Sequence, residues 1–128
     1  MISIIEAEQI HKILIETFGG AHGVRDLSAL ESALKRPFQT FDNKELYPTA
    51  IEKAAAVAES ILNNHPFIDG NKRTGYVLMR LLLIESGFDI DASQDQKYDF
   101  VITIASGKTD FNNIVFWLEQ HTKGKIAK

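Results

Sequence analysis

Residues 65–74 read HPFIDGNKRT and connect two segments that both have the composition of core helices. The preceding segment, about residues 48–64, is rich in alanine, whose small side chain lets a helix pack closely against its neighbours. The following segment, about residues 72–86, is almost entirely apolar beyond Gly75, as expected for a helix buried on most sides. Because a residue before proline disfavours the helical conformation, the first helix should end at His65. The sequence thus predicts two packed central helices joined by a polar loop.

Four further helices are predicted, two before this central pair in the sequence and two after it. Their starts are marked by residues that cap helix N-termini, namely Ser3 with Glu6, Asp26, Ser93 with Gln96, and Thr109. Their apolar stripes are Ile10, Leu14 and Phe18 in the first helix, Leu27, Leu30 and Leu34 in the second, Tyr98, Val101, Ile102 and Ala105 in the fifth, and Phe111, Ile114, Val115 and Leu118 in the sixth. The predicted fold is a single all-α domain over residues 1–128, a compact bundle of about six helices with at most a short hairpin in residues 38–47.

Composition disfavours several classes of function. The chain has 128 residues, a formal net charge of -3 and no cysteine, which argues against a general nucleic-acid-binding protein, a disulfide scaffold and a thiolate metal site. The N-terminus does not combine basic residues with a long apolar run. The longest apolar stretch, residues 76–84, contains Arg80 and is too short to span a bilayer. We therefore expect a cytoplasmic protein without nucleic-acid or membrane partners.

The polar loop and the start of the following helix combine groups that suit a phosphate. Free N–H groups in the first turn of a helix attract anions, and Gly70 would let the backbone approach a phosphate closely. Asn71 can either cap the helix or offer its amide to a phosphate oxygen. Lys72 and Arg73 add positive charge, and the planar guanidinium of Arg73 fits phosphate oxygens. These four residues form the predicted phosphate-binding group.

His65 and Asp69 add reactive groups to the same loop. An acidic side chain beside a phosphate is repelled unless a cation lies between them, so Asp69 is predicted to bind Mg²⁺. A histidine can accept a proton near neutral pH, so His65 is predicted to act as general base towards an attacking hydroxyl. Taken singly, each residue has a structural explanation: a helix terminus for His65, a turn for Asp69, and an apolar anchor for Phe67. Their combination in one short loop favours phosphate-transfer chemistry.

The loop resembles the signature of the Fic superfamily. That signature has histidine, any residue, phenylalanine, any residue, an acidic residue, glycine, asparagine and, two positions later, arginine; here these are His65, Phe67, Asp69, Gly70, Asn71 and Arg73. Fic proteins usually have glycine before the arginine and a second arginine three residues after it, where this chain has Lys72 and Tyr76. These departures, the NKRT sequence of residues 71–74 and the stretch of residues 23–37 are similar to the death-on-curing (Doc) toxin family.

The resemblance implies a fold and a role for each signature residue. The superfamily fold is an all-α bundle in which the signature loop joins two central helices, and a hairpin flap at the position of residues 38–47 holds the target protein. ATP and Mg²⁺ are the implied cofactors. The implied roles are general base for His65, Mg²⁺ ligand for Asp69, and contact with the nucleotide phosphates for Gly70, Asn71, Lys72 and Arg73.

Three functions are compatible with this resemblance. The first is a Doc-like toxin of a toxin–antitoxin system, which transfers the γ-phosphate of ATP to a hydroxyl of a protein, with a translation elongation factor as the implied target. The second is Fic-type transfer of AMP to a protein hydroxyl, and the third is an inactive partner-binding module. Lys72 fills the space that glycine leaves for the inner phosphates, and Tyr76 lacks the charge of the second arginine. Both differences favour transfer of the γ-phosphate.

A partner protein is expected as the regulator. Many Fic proteins block their own ATP site with a short helix that reads serine or threonine, three residues, glutamate, then glycine or asparagine. This sequence contains no such pattern. An antitoxin acting in trans is therefore the predicted source of inhibition, and a protein substrate is the other predicted partner.

Overall fold

The computed structural model describes residues 1–124 and contains six α-helices and two small β-sheets over that range. The elements are α1 (Ile4–Phe18), α2 (Leu27–Lys35), a 3₁₀ turn (Arg36–Phe38), β1 (Thr40–Phe41), β2 (Lys44–Glu45), α3 (Ala50–Asn64), α4 (Asn71–Glu85), β3 (Asp89–Ile90), α5 (Gln94–Ala105), α6 (Phe111–Gln120) and β4 (Thr122–Lys123). The predicted all-α bundle is confirmed. Residues 125–128 of the predicted domain lie outside the described residues.

Helices α3 and α4 form the centre of the bundle, as predicted from the alanine content of α3. Ala54, Ala55 and Ala58 are completely buried, and α3 also packs against α2, α5 and α6. On the facing side, a methyl group added at Gly75 would lie 3.0 Å from the side chain of Leu62. Small residues on both helices therefore permit a close approach, which fixes the relative position of the two helix ends that flank the polar loop.

Local capping chemistry sets most of the helix boundaries. Both halves of the capping box are present at Ser3 and at Ser93, as predicted, and Asp26 accepts the amide of Ala29 to cap α2. The predicted cap of α6 at Thr109 is wrong. The next residue, Asp110, holds the capping position and accepts the Asn113 amide at 2.9 Å, because its carboxylate reaches the first turn of the helix.

Several predicted apolar stripes are displaced from the faces that are buried. In α1 the buried residues are Ala7, His11 and Ile15, whereas Phe18 is 56% exposed and Ile10 and Leu14 are half-buried. Leu27 and Tyr98, also predicted on inner faces, are exposed. The burial of His11 explains the error in α1, since a polar residue in the true stripe masks the helical period.

Two short antiparallel strand pairs complete the fold. Strands β1 and β2 form the predicted hairpin within residues 38–47, and Asp42 and Asn43 between them both have positive φ, as a two-residue hairpin turn requires. The pairing of β3 with β4 was not predicted, because each strand has only two residues and they lie far apart in sequence. No helix among residues 1–124 has the length and apolar character needed to cross a membrane.

Candidate active site

The polar loop has a residue with left-handed backbone conformation at each end, one after α3 and one before α4. His65 ends α3 with φ 49° and ψ 61°, which is unusual for a residue with a side chain, and Gly70 precedes α4 with φ 75°. Between them Phe67 is only 1% exposed, so its predicted role as the anchor of the loop is confirmed. The side chains of His65 and Asp69 are exposed to solvent. The loop thus has a buried centre and two accessible polar ends.

A second segment, residues 20–26, runs antiparallel to the loop and is called the brace here. Residues 23–26 of the brace form backbone hydrogen bonds with residues 66–68 of the loop. The carbonyl of Gly23 accepts the amide of Ile68 at 3.0 Å, Val24 forms a β-bridge with Phe67, and the amide of Arg25 donates to the Pro66 carbonyl at 2.8 Å. These contacts hold the loop backbone in place although much of the loop surface is exposed.

Arg25 of the brace fixes the position of His65 through its side chain. Its guanidinium donates to the carbonyl of Asn64 at 2.6 Å and to that of His65 at 2.9 Å. Carbonyl groups at a helix C-terminus have no partner within the helix, and a cation there also interacts favourably with the helix dipole. Arg25 therefore stabilises the end of α3 and the left-handed conformation from which the His65 imidazole projects.

The Asp69 carboxylate is held by two backbone N–H groups. Ala21 of the brace donates to Oδ2 at 3.0 Å, and Gly70 donates to Oδ1 at 2.9 Å. These hydrogen bonds, the one from Ala21 first, lower the pKa of Asp69 below its ordinary value. The group is therefore an anion at neutral pH, with a second lone pair on each oxygen still available to a cation.

The described residues contain no cluster of three or more acidic, histidine or cysteine side chains that could enclose a metal ion. A single carboxylate such as Asp69 fits Mg²⁺, which commonly binds proteins through one or two carboxylates and takes its other ligands from phosphates and water. The predicted Mg²⁺ role of Asp69 therefore has a suitable donor, but one that needs a bound phosphate to complete the site.

The N-terminus of α4 is the only α-helix start within residues 1–124 that has no side-chain cap. The first hydrogen bond of the helix runs from Thr74 to the Gly70 carbonyl, so the amides of Asn71, Lys72 and Arg73 find no partner among the described residues. Three free N–H groups at the positive end of the helix dipole are a favourable site for an anion.

Gly70 also has a structural reason to be glycine. A methyl group at this position would lie 2.9 Å from the side chain of Ile15 in α1, and its positive φ would strain any residue with a side chain. The positive φ favours glycine here, and a larger residue would also displace the end of the Ile15 side chain. A phosphate-binding role for Gly70 stays a prediction.

The other predicted phosphate contacts differ in how they are held. The side-chain amide of Asn71 forms two hydrogen bonds with the backbone of Phe67, each 3.0 Å long, and so closes the loop on itself. The guanidinium of Arg73 lies 4.2 Å from the ring centre of Phe18, a contact that orients its planar group. Lys72 is exposed.

A cleft of about 810 Å³ adjoins the start of α4, between the end of α1 and α5. Lys72, Arg73, Tyr76, Phe18 and Tyr98 are among the residues that line it. His65 and Asp69 are not among its lining residues, so the predicted site residues divide into two groups. Lys72 and Arg73 face the cleft, whereas His65, the predicted base, and the Asp69 carboxylate lie on the preceding loop.

Sequence reasoning missed two residues that hold the loop in place, His11 and Arg25. His11 has no other metal-ligating residue at a suitable spacing in the sequence, so its pattern predicts no ligand role. Its position four residues from both Ala7 and Ile15 was the available signal that it belongs to the inner face of α1. Arg25 lies in the stretch that resembles Doc proteins, but the sequence alone did not indicate what its side chain contacts.

Comparisons with known proteins bear on the same segments. A family model described as the Fic/DOC family matches residues 2–83, which include α1, the brace and the loop. The toxin Doc of Mycolicibacterium smegmatis is 34% identical over 99 residues, covering 76% of this chain and 76% of that protein. The protein adenylyltransferases Fic of Drosophila yakuba and Drosophila melanogaster are 31% and 30% identical over 97 residues. Those matches cover 71% of this chain but only 19% of each fly protein.

Proposed function

Because the chain belongs to the Fic/DOC family, we propose that it is a Doc-like toxin that transfers the γ-phosphate of ATP to a hydroxyl of a protein, with a translation elongation factor as its target. The observation that carries this proposal is the open N-terminus of α4. Its three unpaired amides lie in the same short segment as two cationic side chains, and the Asp69 carboxylate and the His65 imidazole are close by in sequence on the preceding loop.

The phosphates of ATP bind at the start of α4 in this proposal. The free amides of residues 71–73 and the helix dipole attract the phosphate oxygens, and Lys72 and Arg73 neutralise the remaining charge. Asp69 is the residue that would hold Mg²⁺, which when bound neutralises phosphate charge during transfer. Asn71 keeps the loop closed through its contacts with Phe67 while these groups act.

His65 acts on the target hydroxyl. Its imidazole takes the hydroxyl proton as the oxygen attacks the γ-phosphorus. The bond between the γ-phosphorus and the oxygen that bridges it to the β-phosphate breaks, and ADP leaves with that oxygen. The products are a phosphorylated side chain, ADP and a proton on His65, which is returned to solvent because the side chain is exposed.

Two residues of the cleft support phosphoryl transfer over AMP transfer. Lys72 stands where a glycine would leave room for the inner phosphates, and the half-buried Tyr76 follows one turn later on the same side of α4. Neither provides the planar guanidinium that would hold the terminal phosphates and present the α-phosphate for attack.

Transfer of AMP is the second candidate, supported by the likeness to the two fly proteins named as adenylyltransferases. In that reaction the hydroxyl oxygen attacks the α-phosphorus, and pyrophosphate leaves. The two reactions differ in which labelled phosphorus reaches the protein, so one experiment separates them.

The experiment incubates the protein and a purified elongation factor with ATP labelled at either the γ- or the α-phosphate. We expect only the label at the γ-position to reach the elongation factor. His65→Ala removes the proton-transfer group, and we expect it to slow transfer by about 10²–10⁴-fold. Asp69→Ala should likewise abolish transfer while circular dichroism shows folded protein. Lys35→Ala, an exposed change on α2, is the control that should retain full activity. Label from the α-position would overturn the kinase proposal in favour of AMP transfer.

The proposed regulator is an antitoxin acting in trans. Expression of this chain alone should therefore arrest bacterial growth, and expression of His65→Ala should not. Equal growth arrest by both proteins would contradict the catalytic proposal and favour the third candidate, a partner-binding module without catalysis.

A further inference from the structure

His11 is a buried polar residue that the proposed reaction does not use. It is 3% exposed on the inner face of α1, yet its side-chain hydrogen bond and its ring stacking are both with the loop between α3 and α4. The imidazole stacks on the ring of Phe67, with 4.0 Å between ring centres and an angle of 7° between planes. Its Nε2 lies 2.8 Å from the backbone carbonyl oxygen of Asp69. A carbonyl can only accept, so Nε2 is the nitrogen that carries the hydrogen.

This hydrogen bond fixes one side of the peptide unit that links Asp69 to Gly70. The other side of the same unit is the Gly70 amide, which donates to the Asp69 carboxylate. Rotation of the peptide would therefore break both bonds and release one oxygen of the carboxylate. Such a rotation is easier beside glycine than beside other residues, because glycine tolerates both signs of φ. The hydrogen bond from His11 to the Asp69 carbonyl opposes this rotation.

We propose that His11 is a positioning residue that holds the Asp69–Gly70 peptide in the orientation that aims the Asp69 carboxylate at the start of α4. This inference rests on the proposed function, since it assigns the carboxylate to the Mg²⁺ and phosphate end of the site. The hydrogen bond of His11 is to the loop backbone, and it involves neither the His65 imidazole nor the Asp69 carboxylate. Its loss acts on metal-dependent binding more than on proton transfer, because His65 is held separately by Arg25.

Two substitutions separate the two contacts of His11. His11→Phe keeps a flat ring to stack on Phe67 but removes the hydrogen-bond donor. His11→Gln removes the ring but keeps an N–H donor the same number of bonds from the backbone.

The chain also offers a matched control in His121. This half-buried residue stacks on Trp117 with 4.0 Å between ring centres, and its Nδ1 lies 2.8 Å from the Trp117 carbonyl oxygen. His121→Phe therefore removes the same kind of bond, at the end of α6 and outside the residues assigned to the site.

The first measurement is the rate of transfer from γ-labelled ATP as a function of Mg²⁺ concentration. His11→Phe should raise the Mg²⁺ concentration for half-maximal rate by about 2- to 10-fold, the loss expected for one hydrogen bond, with little change at saturating Mg²⁺. His11→Gln should recover most of that loss, and His121→Phe should leave the Mg²⁺ requirement unchanged. The same Mg²⁺ requirement in His11→Phe as in His121→Phe, or failure of His11→Gln to recover it, would overturn the proposal.

The second measurement needs no nucleotide and no catalysis. Hydrogen exchange of the Gly70 amide, followed by NMR in the protein alone, should be faster in His11→Phe than in wild type and His121→Phe. If the wild type transfers nothing from ATP, the proposed function fails, but this measurement still decides the role of His11. Unchanged exchange at Gly70 in His11→Phe would overturn that role.

Discussion

Gly20 lies against the carboxylate of Asp69, and a single methyl group added there should disturb the predicted Mg²⁺ ligand. The added Cβ would be 2.7 Å from Oδ2 of Asp69 and 3.0 Å from the end of the Ile15 side chain. The neighbouring Gly19 provides the matched control. Both glycines have positive φ, 121° at Gly20 and 90° at Gly19, but a Cβ at Gly19 would meet nothing within 4 Å. Gly20→Ala and Gly19→Ala therefore share backbone strain and differ in the contact with Asp69.

The size of the effect follows from these distances. Backbone strain of this kind costs about 1–3 kcal/mol of stability in either variant. In Gly20→Ala, Oδ2 must move away by about 0.7 Å to reach an ordinary contact distance, which stretches its 3.0 Å bond from the Ala21 amide. A misplacement of about 1 Å in a catalytic site can cost roughly 10²-fold in rate. We therefore expect Gly20→Ala to transfer phosphate about 10- to 100-fold more slowly than Gly19→Ala at limiting Mg²⁺.

The assay compares both variants with wild type by γ-phosphate transfer across a Mg²⁺ series, at a temperature where circular dichroism shows all three to be folded. Thermal unfolding measures the shared strain, and about 1 kcal/mol corresponds to roughly 3–5 °C in Tm for a domain of this size. Equal activity in the two variants would refute the reasoning that a side chain at position 20 disturbs the predicted Mg²⁺ ligand. So would a rate loss in Gly20→Ala that no Mg²⁺ concentration reduces.

Three further changes test other parts of the structure. The two hydrogen bonds from Arg80 lower the pKa of Asp89 from its ordinary value of 3.8 to about 2. The ion pair therefore stabilises the fold above about pH 4, and this stabilisation is lost as the pH falls towards 2. For such an exposed pair the loss is at most about 1 kcal/mol of unfolding free energy, and Asp89→Asn should remove this pH dependence from urea unfolding curves. Phe67→Ala should lower the free energy of unfolding by about 3–5 kcal/mol because the ring is fully enclosed, and a loss below about 1 kcal/mol in the same titration would contradict this. Arg25→Gln should reduce kcat with little change in the KM for ATP, because Arg25 holds the His65 end of the loop; a change in KM alone would argue against it.

Local signals in the sequence were enough to predict the helices and the first hairpin. The capping boxes at Ser3 and Ser93 act within four residues, so their effect on helix starts is visible without tertiary contacts. The pairing of β3 with β4 joins residues more than thirty positions apart, as in the pair Asp89 and Lys123, and no local pattern reports it. The buried stripe of α1 also depends on a partner outside that helix, because the polar side chain of His11 is buried against the loop, where the Asp69 carbonyl accepts its hydrogen.

The loop could be singled out from the sequence because its reactive side chains are concentrated within nine residues, from His65 to Arg73. The spacing could not show how these side chains divide between the cleft and the loop. Lys72 and Arg73 face the cleft because they lie on the first turn of α4, next to α1 and α5. Asn71 occupies the same turn, yet its side chain points back to the backbone of Phe67. These directions depend on the packing of α4 against its neighbours, which a linear motif does not contain.

The exposure of the reactive groups explains why the site needs a second segment of chain. A side chain that acts on a protein substrate must reach solvent, so burial cannot hold it in position, and the two residues proposed for this role, His65 and Asp69, are both exposed. The brace and α1 provide the missing constraint through backbone hydrogen bonds and the side chains of Arg25 and His11. The proposed chemistry belongs to the motif, whereas contacts from the first twenty-six residues hold the motif in its observed geometry. Substitutions in that N-terminal part should therefore reduce activity more than their effect on stability accounts for.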